Sequence, residues 1–276
     1  MIIKSKWYYR VLQRALVLAM LALAVVPVYI VVSNSFRRAL DIKRMPPKLF
    51  FDPILTHYSR VLSVDSFARY FINSLIIAGC TTATVILLGT LAAYGLRLFR
   101  SRLGLRLSNI MMLGKLVPSI TILIPLYIML NRMRLTGLYI APILAHAAIS
   151  VPFVTWLMRG FIEDIPTELL ESATEMGATR MQTFFVIILP LLLPAVASAV
   201  ILTMQSSWNE LLFSLTLTNI KTYPLTVAVA RFTGAMSVDW GKCSAAATIT
   251  LVPIVLLGFF MQKYLVTGMT AGAVKG

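Results

Sequence analysis

Glu163-Asp164-Ile165-Pro166-Thr167-Glu168-Leu169-Leu170-Glu171-Ser172-Ala173-Thr174-Glu175-Met176-Gly177 differs from every other stretch of the chain. Its Glu163, Asp164, Glu168, Glu171 and Glu175 are half of the 10 Asp and Glu in the sequence, so this segment belongs in water. Pro166 suits the first turn of a helix, where its missing N–H costs nothing. Glu168 and Glu171 complement the positive pole of the helix dipole. Leu169, Leu170, Ala173 and Met176 recur at helical spacing and form one apolar stripe. Gly177 is a natural stop, because it adopts the left-handed conformation that ends helices. The expected element is an amphipathic helix of about 11 residues, roughly 16 Å long.

On both sides of this segment the composition changes to that of a membrane. Of 276 residues, 59% are hydrophobic and 13% charged, with a mean hydropathy of +0.85. A soluble domain carries about 25% charged residues. Six stretches approach the ~20 apolar residues that a bilayer core requires. They cover about 15–32, 71–96, 107–130, 138–158, 186–212 and 245–266. Backbone amides in lipid need partners within their own segment, so these stretches are read as helices. Basic residues at Lys4, Lys6, Arg10 and Arg14 precede the first run, which continues to Val32, well past Ala22-Leu23-Ala24. It is read as an uncleaved membrane helix rather than a cleaved leader.

The remaining signals are weaker. Pro27, Pro118, Pro125, Pro142, Pro152, Pro190, Pro194 and Pro253 fall in or beside the spans, where proline kinks helices. Cys80 and Cys243 lack metal-ligand spacing, and Cys80, inside an apolar run, reads as a small buried side chain. His57 and His146 stand alone, so no metal site is expected. With 25 Lys and Arg, the formal net charge is +15. The long apolar runs between basic clusters argue against a nucleic-acid partner and leave anionic lipid or an acidic solute. The basic residues divide evenly between the two sides of the membrane, so charge bias does not orient the chain.

The loop carries a more specific pattern. Glu171-Ser172-Ala173, then Gly177-Ala178, then Ile187-Ile188-Leu189-Pro190 resembles the EAA loop of ABC importer permeases. That pattern runs Glu-Ala-Ala, three residues, Gly, nine residues, Ile-x-Leu-Pro. Ser172 replaces the usual Ala and Met176 stands where Asp is common, while the spacing and the Gly and Leu-Pro positions hold. Trp208-Asn209-Glu210, Tyr223-Pro224-Leu225-Thr226-Val227 and the ending Thr270-Ala271-Gly272-Ala273-Val274-Lys275-Gly276 are similar to carbohydrate permeases of the maltose type.

The resemblance implies an all-α integral membrane protein with six transmembrane helices and a cytoplasmic coupling helix between the fourth and fifth. One transmembrane domain would cover 1–276, with the permease core at about 71–266 and the EAA loop at 163–190. Glu171, Ser172, Ala173, Gly177, Ala178, Leu189 and Pro190 become the expected ATPase-coupling residues. The implied partners are an ABC ATPase dimer, a second and different permease, an extracytoplasmic solute-binding protein and membrane lipid. The implied location is the bacterial cytoplasmic (inner) membrane, with both termini cytoplasmic. The sequence has no Gly-x-x-x-x-Gly-Lys-Ser/Thr phosphate loop, so ATP and Mg²⁺ would be bound by the partner ATPase, and the chain itself would hold no cofactor or metal.

Polar residues within apolar runs are costly and often line aqueous paths. Lys115, Asn209 and Glu210, with Asn73, Gln205 and Trp208, are therefore candidates for a substrate pathway, or alternatively for hydrogen bonding between helices. Lys115 could also extend to an interface. Arg37, Arg38, Lys43, Arg44, Lys48, Arg60 and Arg69 outnumber Asp41, Asp52 and Asp65 in the segment after the first run. This surplus fits lipid headgroups, an acidic binding protein or steering of an acidic oligosaccharide such as an oligouronate. A permease for a non-sugar solute is the nearest rival, and a secondary transporter is more distant because it needs no EAA-spaced helix. No catalytic triad, metal cluster or paired carboxylates favour an enzyme.

Overall fold

A computed structural model describes residues 7–46, 50–63, 67–98, 102–232 and 238–271. Among them there is no strand, and every regular element is a helix. The principal helices are α1 (Trp7–Ser35), α2 (Phe67–Leu98), α3 (Arg102–Leu113), α4 (Ser119–Arg132), α5 (Ile140–Glu163), α6 (Thr167–Glu175), α7 (Leu193–Trp208), α8 (Leu212–Leu217) and α9 (Trp240–Ala271). Among the described residues, 4 helices are long and apolar enough to cross a membrane, or up to 6 if each of two bent pairs forms one crossing. Lys4, Lys6, Lys48, Asp65, Arg100 and residues 272–276, which include most of the maltose-type ending, lie outside the described residues.

The bent pairs correct two of the sequence expectations. The stretch at 107–130 is not one rod: Gly104–Leu116 and Ser119–Arg132 meet at 96°. The cause is Pro118. A proline excludes the residue before it from the helical region, and Val117 accordingly has φ −72 and ψ 126, followed by Pro118 at φ −56 and ψ 133. The stretch at 186–212 likewise divides into Arg180–Leu191 and Leu193–Trp208 at 79°. Pro190 and Pro194 flank that break, and neither can donate a backbone hydrogen bond. A π-helical turn at Thr183–Ile188 leads into it. Backbone that leaves the helix at membrane depth needs cover from protein or a wet cavity, so such breaks mark places where side chains meet something other than lipid.

The chain divides into two compact units. The larger comprises Ala68–Ala228 and Pro253–Gly276. Its main core joins Val85, Ala93 and Tyr94 of α2, Val154, Met158 and Ile162 of α5, and Phe184, Ile188 and Leu192 around the π turn. A second cluster sets Leu123 and Leu130 of α4 against Ala141 and Ala145 of α5 and Phe213 and Leu217 of α8. Cys80 does not join either; it is exposed, because a membrane helix turns part of its apolar surface outward.

The smaller unit comprises Met1–Phe67 and Val229–Val252. The most apolar window of α1 has none of its residues buried, which leaves its whole girth for other contacts. Beyond α1, His57 is 3% exposed and its Nε2 lies 2.8 Å from the Arg37 carbonyl. The ring packs directly on Gly241, where an added Cβ would lie 2.1 Å from His57 Cε1. Gly241→Ala is therefore expected to displace the ring and destabilise the protein by about 1–3 kcal/mol, the usual cost of overpacking. Denaturation of the detergent-solubilised protein checks this, and a loss below about 0.5 kcal/mol would show that the ring moves freely. Arg37 departs from its expected place in an open basic surface. It is 6% exposed, with its guanidinium 4.7 Å from the Phe51 ring centroid, whereas Arg38, Lys43, Arg44 and Arg60 are exposed.

Candidate functional site

The acidic segment forms α6, with Pro166 in an extended conformation at its start and Glu168 in its first turn. Its far end is a Schellman closure. Ala178 N–H donates to Ala173 O at 3.0 Å and Gly177 N–H to Thr174 O at 3.0 Å, with Gly177 at φ +82. No heavy atom lies within 4 Å of where a Gly177 Cβ would stand, so backbone conformation rather than space calls for glycine there.

The expected apolar stripe divides in two. Ala173 is 1% exposed and Leu170 packs on the main core, while Leu169 and Met176 are 44% and 81% exposed. The Ala173 methyl thus faces this chain's own interior, and any partner meets Leu169, Met176 and the exposed Glu171, Ser172 and Glu175. Tertiary contacts root the segment at both ends. Arg97 Nη2 donates to Ile165 O at 3.3 Å, and Tyr94 Oη donates to Arg180 O at 3.2 Å. Thr179 and Gln182 form a capping box that starts the next helix, with Thr179 N–H donating to Gln182 Oε1 at 2.8 Å and Gln182 N–H to Thr179 Oγ1 at 3.3 Å. The Thr-x-x-Gln spacing was its available sequence signal. Leu189 packs on the main core at the end of the π turn, and Pro190 beside it is exposed.

The six polar candidates do not converge on one site. Asn73 is 1% exposed; its Nδ2 donates to Lys221 O and Tyr223 O, and its Oδ1 accepts from Tyr139 Oη at 2.7 Å. All its hydrogen-bonding atoms serve the fold. Trp208 is also buried, edge-on to Phe71 with ring centroids 5.9 Å apart. Gln205 and Asn209 are exposed.

Glu210 is a structural pin. Its Oε1 accepts from Phe213 N–H at 2.9 Å and its Oε2 from Ser214 N–H at 3.0 Å, capping α8. His146 completes the arrangement, with Nε2 3.0 Å from Glu210 Oε2 and Nδ1 2.7 Å from Ser207 Oγ. His146 looked isolated in sequence because its partner lies 64 residues away.

Lys115 is different. It sits in the 3₁₀ turn Gly114–Leu116 beside the first break, with Nζ 5.4 Å from the Phe153 ring centroid. It lines a cavity of about 360 Å³ with Met112, Ser150, Phe153, Thr203 and Ser206. The described residues contain no group of His, Cys, Asp or Glu able to hold a metal ion.

Comparison with known proteins gives this arrangement a family. Residues 85–271 match the family described as "Binding-protein-dependent transport system inner membrane component". The trehalose/maltose transport system permease protein MalG of Thermococcus litoralis is 34% identical, over 83% of this chain and 84% of that protein. The melibiose/raffinose/stachyose import permease protein MelC of Bacillus subtilis is 32% identical over 91% of each. Among solved structures, a bacterial ABC transporter involved in import of the acidic polysaccharide alginate aligns with a TM-score of 0.80 at 19% identity. The alignment covers 96% of this chain and 99% of that one, a likeness of fold alone. This chain belongs to the inner membrane components of binding-protein-dependent transport systems.

Proposed function

We propose that the chain is the non-catalytic transmembrane permease of an ATP-driven importer of sugars. The observation that carries the reading is α6, a short acidic helix with exposed Leu169 and Met176 at its surface and its other side rooted in the core through Ala173 and Leu170. A helix held in this way transmits force, because displacing it strains the closures at Gly177 and Thr179. In this reading ATP closes a dimer of partner ATPases, which bind the nucleotide and Mg²⁺. α6 follows that movement, and the membrane helices change from inward-open to outward-open.

Each bent pair counts as one crossing in this reading, for six spans. Both termini and α6 lie on the cytoplasmic side, a second permease completes the pathway, and a binding protein delivers solute from outside. Sugars are favoured by the relatives that carry trehalose, maltose and melibiose in their names. Within that class we propose an acidic oligosaccharide, which the exposed Arg38, Lys43, Arg44 and Arg60 would steer, although the same charges suit lipid headgroups or an acidic binding protein equally.

The test of docking is a single cysteine at Ser172, with Cys80 and Cys243 replaced, in the complete complex. It is expected to cross-link to the ATPase subunit. A complex that assembles without that cross-link would remove α6 from the interface. ATP hydrolysis stimulated by sugar-loaded binding protein tests transport itself.

A further inference from the structure

We propose that the cavity at Lys115 is a subsite for the carboxylate of an acidic sugar in transit, an inference that rests on the reading of the chain as a sugar permease. The cavity of about 360 Å³ falls within the ~300–1,000 Å³ typical of ligand pockets. Its position fits a pathway. Lys115 lies at the 96° break between the two arms of a bent pair, Ser150 and Phe153 lie on α5, and Thr203 and Ser206 lie on an arm of the other bent pair.

Two groups in its wall have unmet needs. A lysine within an apolar stretch usually finds a carboxylate, yet no acidic residue pairs with Lys115 among the described residues. Its one ring contact, with Phe153, leaves the ammonium's hydrogen-bond donors free for a ligand. Thr203 is 2% exposed, and its Oγ1 has no hydrogen-bond partner among the described residues. Buried hydroxyls normally have a partner; this one is closed off from the cavity, so Thr203 must turn its side chain to offer it to a ligand.

The wall as a whole matches one chemistry. An ammonium pairs with a carboxylate, Ser150 and Ser206 offer hydroxyls to a sugar rim, with Thr203 a third once its side chain turns, and the Phe153 ring offers a face to the C–H side of a pyranose. A neutral sugar would use the hydroxyls and the ring and leave the charge unmatched. An isolated carboxylate would leave the hydroxyls and the ring unused. A uronate satisfies all of them.

The test uses the complete complex with its partner subunits in lipid nanodiscs, treated with a water-soluble carbodiimide and trigalacturonate. The reagent joins a carboxylate to an adjacent amine as an amide, which peptide mass spectrometry reads. Lys115, exposed like Lys43 and Lys221, is expected to be labelled well above both, and an excess of maltotriose should leave that ratio unchanged. In proteoliposomes Lys115→Met is expected to slow trigalacturonate uptake by about tenfold or more, the scale of one charge-assisted hydrogen bond. Labelling of Lys115 no greater than that of Lys43 and Lys221 would overturn the subsite. If maltotriose-loaded or trigalacturonate-loaded binding protein still stimulates ATP hydrolysis in that case, the permease reading stands without the subsite. If neither sugar stimulates hydrolysis, the sugar reading fails and the subsite with it.

Discussion

A Gly177→Val permease is expected to assemble with its partners and allow ATP hydrolysis while importing sugar at least tenfold more slowly. The argument begins at φ +82, a conformation that costs an L-residue roughly 1–2 kcal/mol and a β-branched residue more. Two closing hydrogen bonds, from Ala178 N–H and Gly177 N–H, depend on that conformation. Without them the end of α6 frays, and the buried Ala173 loses the register that seats it in the core. A penalty of 1–2 kcal/mol shifts a two-state balance by a factor of about 5–30, enough to disconnect a lever without unfolding the protein.

Because space around Gly177 is open, the effect should follow backbone preference rather than size. Gly177→Asn should be mildest, Gly177→Ala intermediate and Gly177→Val most severe. Parallel measurement of uptake and ATP hydrolysis in proteoliposomes checks the series. Parental import by the valine variant would remove this turn from the coupling path, and a ranking by side-chain volume would replace the backbone argument with a steric one.

Glu210→Ala is expected to destabilise the larger unit by about 3 kcal/mol. One carboxylate accepts from two backbone amides that open α8 and lies against His146, which is only 3% exposed. Removing it leaves Phe213 N–H, Ser214 N–H and His146 Nε2 short of an acceptor at once. Glu210→Gln should fall between, since its amide oxygen can serve one of those donors while its amide nitrogen faces the others. The thermal midpoint of the solubilised protein reads the loss. A double-mutant cycle with His146→Ala should return a coupling of at least about 1 kcal/mol, as expected of groups in direct contact. A loss below about 0.5 kcal/mol for Glu210→Ala would mean that water or lipid headgroups replace the carboxylate.

These two sites also show how differently sequence and tertiary structure contribute. α6 was legible because every determinant of it is local: a proline at its start, acids near the positive pole, apolar residues at helical spacing and a glycine after the last turn. The membrane character was legible for a similar reason, since a bilayer imposes length and polarity on each helix separately. Even the breaks had a sequence signal in Pro118, Pro190 and Pro194, although hydropathy alone joined the segments across them, because a proline changes direction without changing polarity.

Tertiary structure decided which polar residues are already satisfied. Asn73 and Glu210 looked like Lys115 in sequence, each a polar residue beside apolar neighbours. Asn73 is satisfied by Tyr139 and Lys221, 66 and 148 residues away, and Glu210, besides two nearby amides, is matched by His146, 64 residues away, beyond the reach of any local pattern. The same holds for Ala173 and Leu169, which share a stripe in sequence and turn to opposite environments in the fold. Helical spacing places side chains on a face, but only the packing of distant segments determines what covers that face. A polar group's hydrogen bonds are likewise completed by whichever chain the fold brings to it.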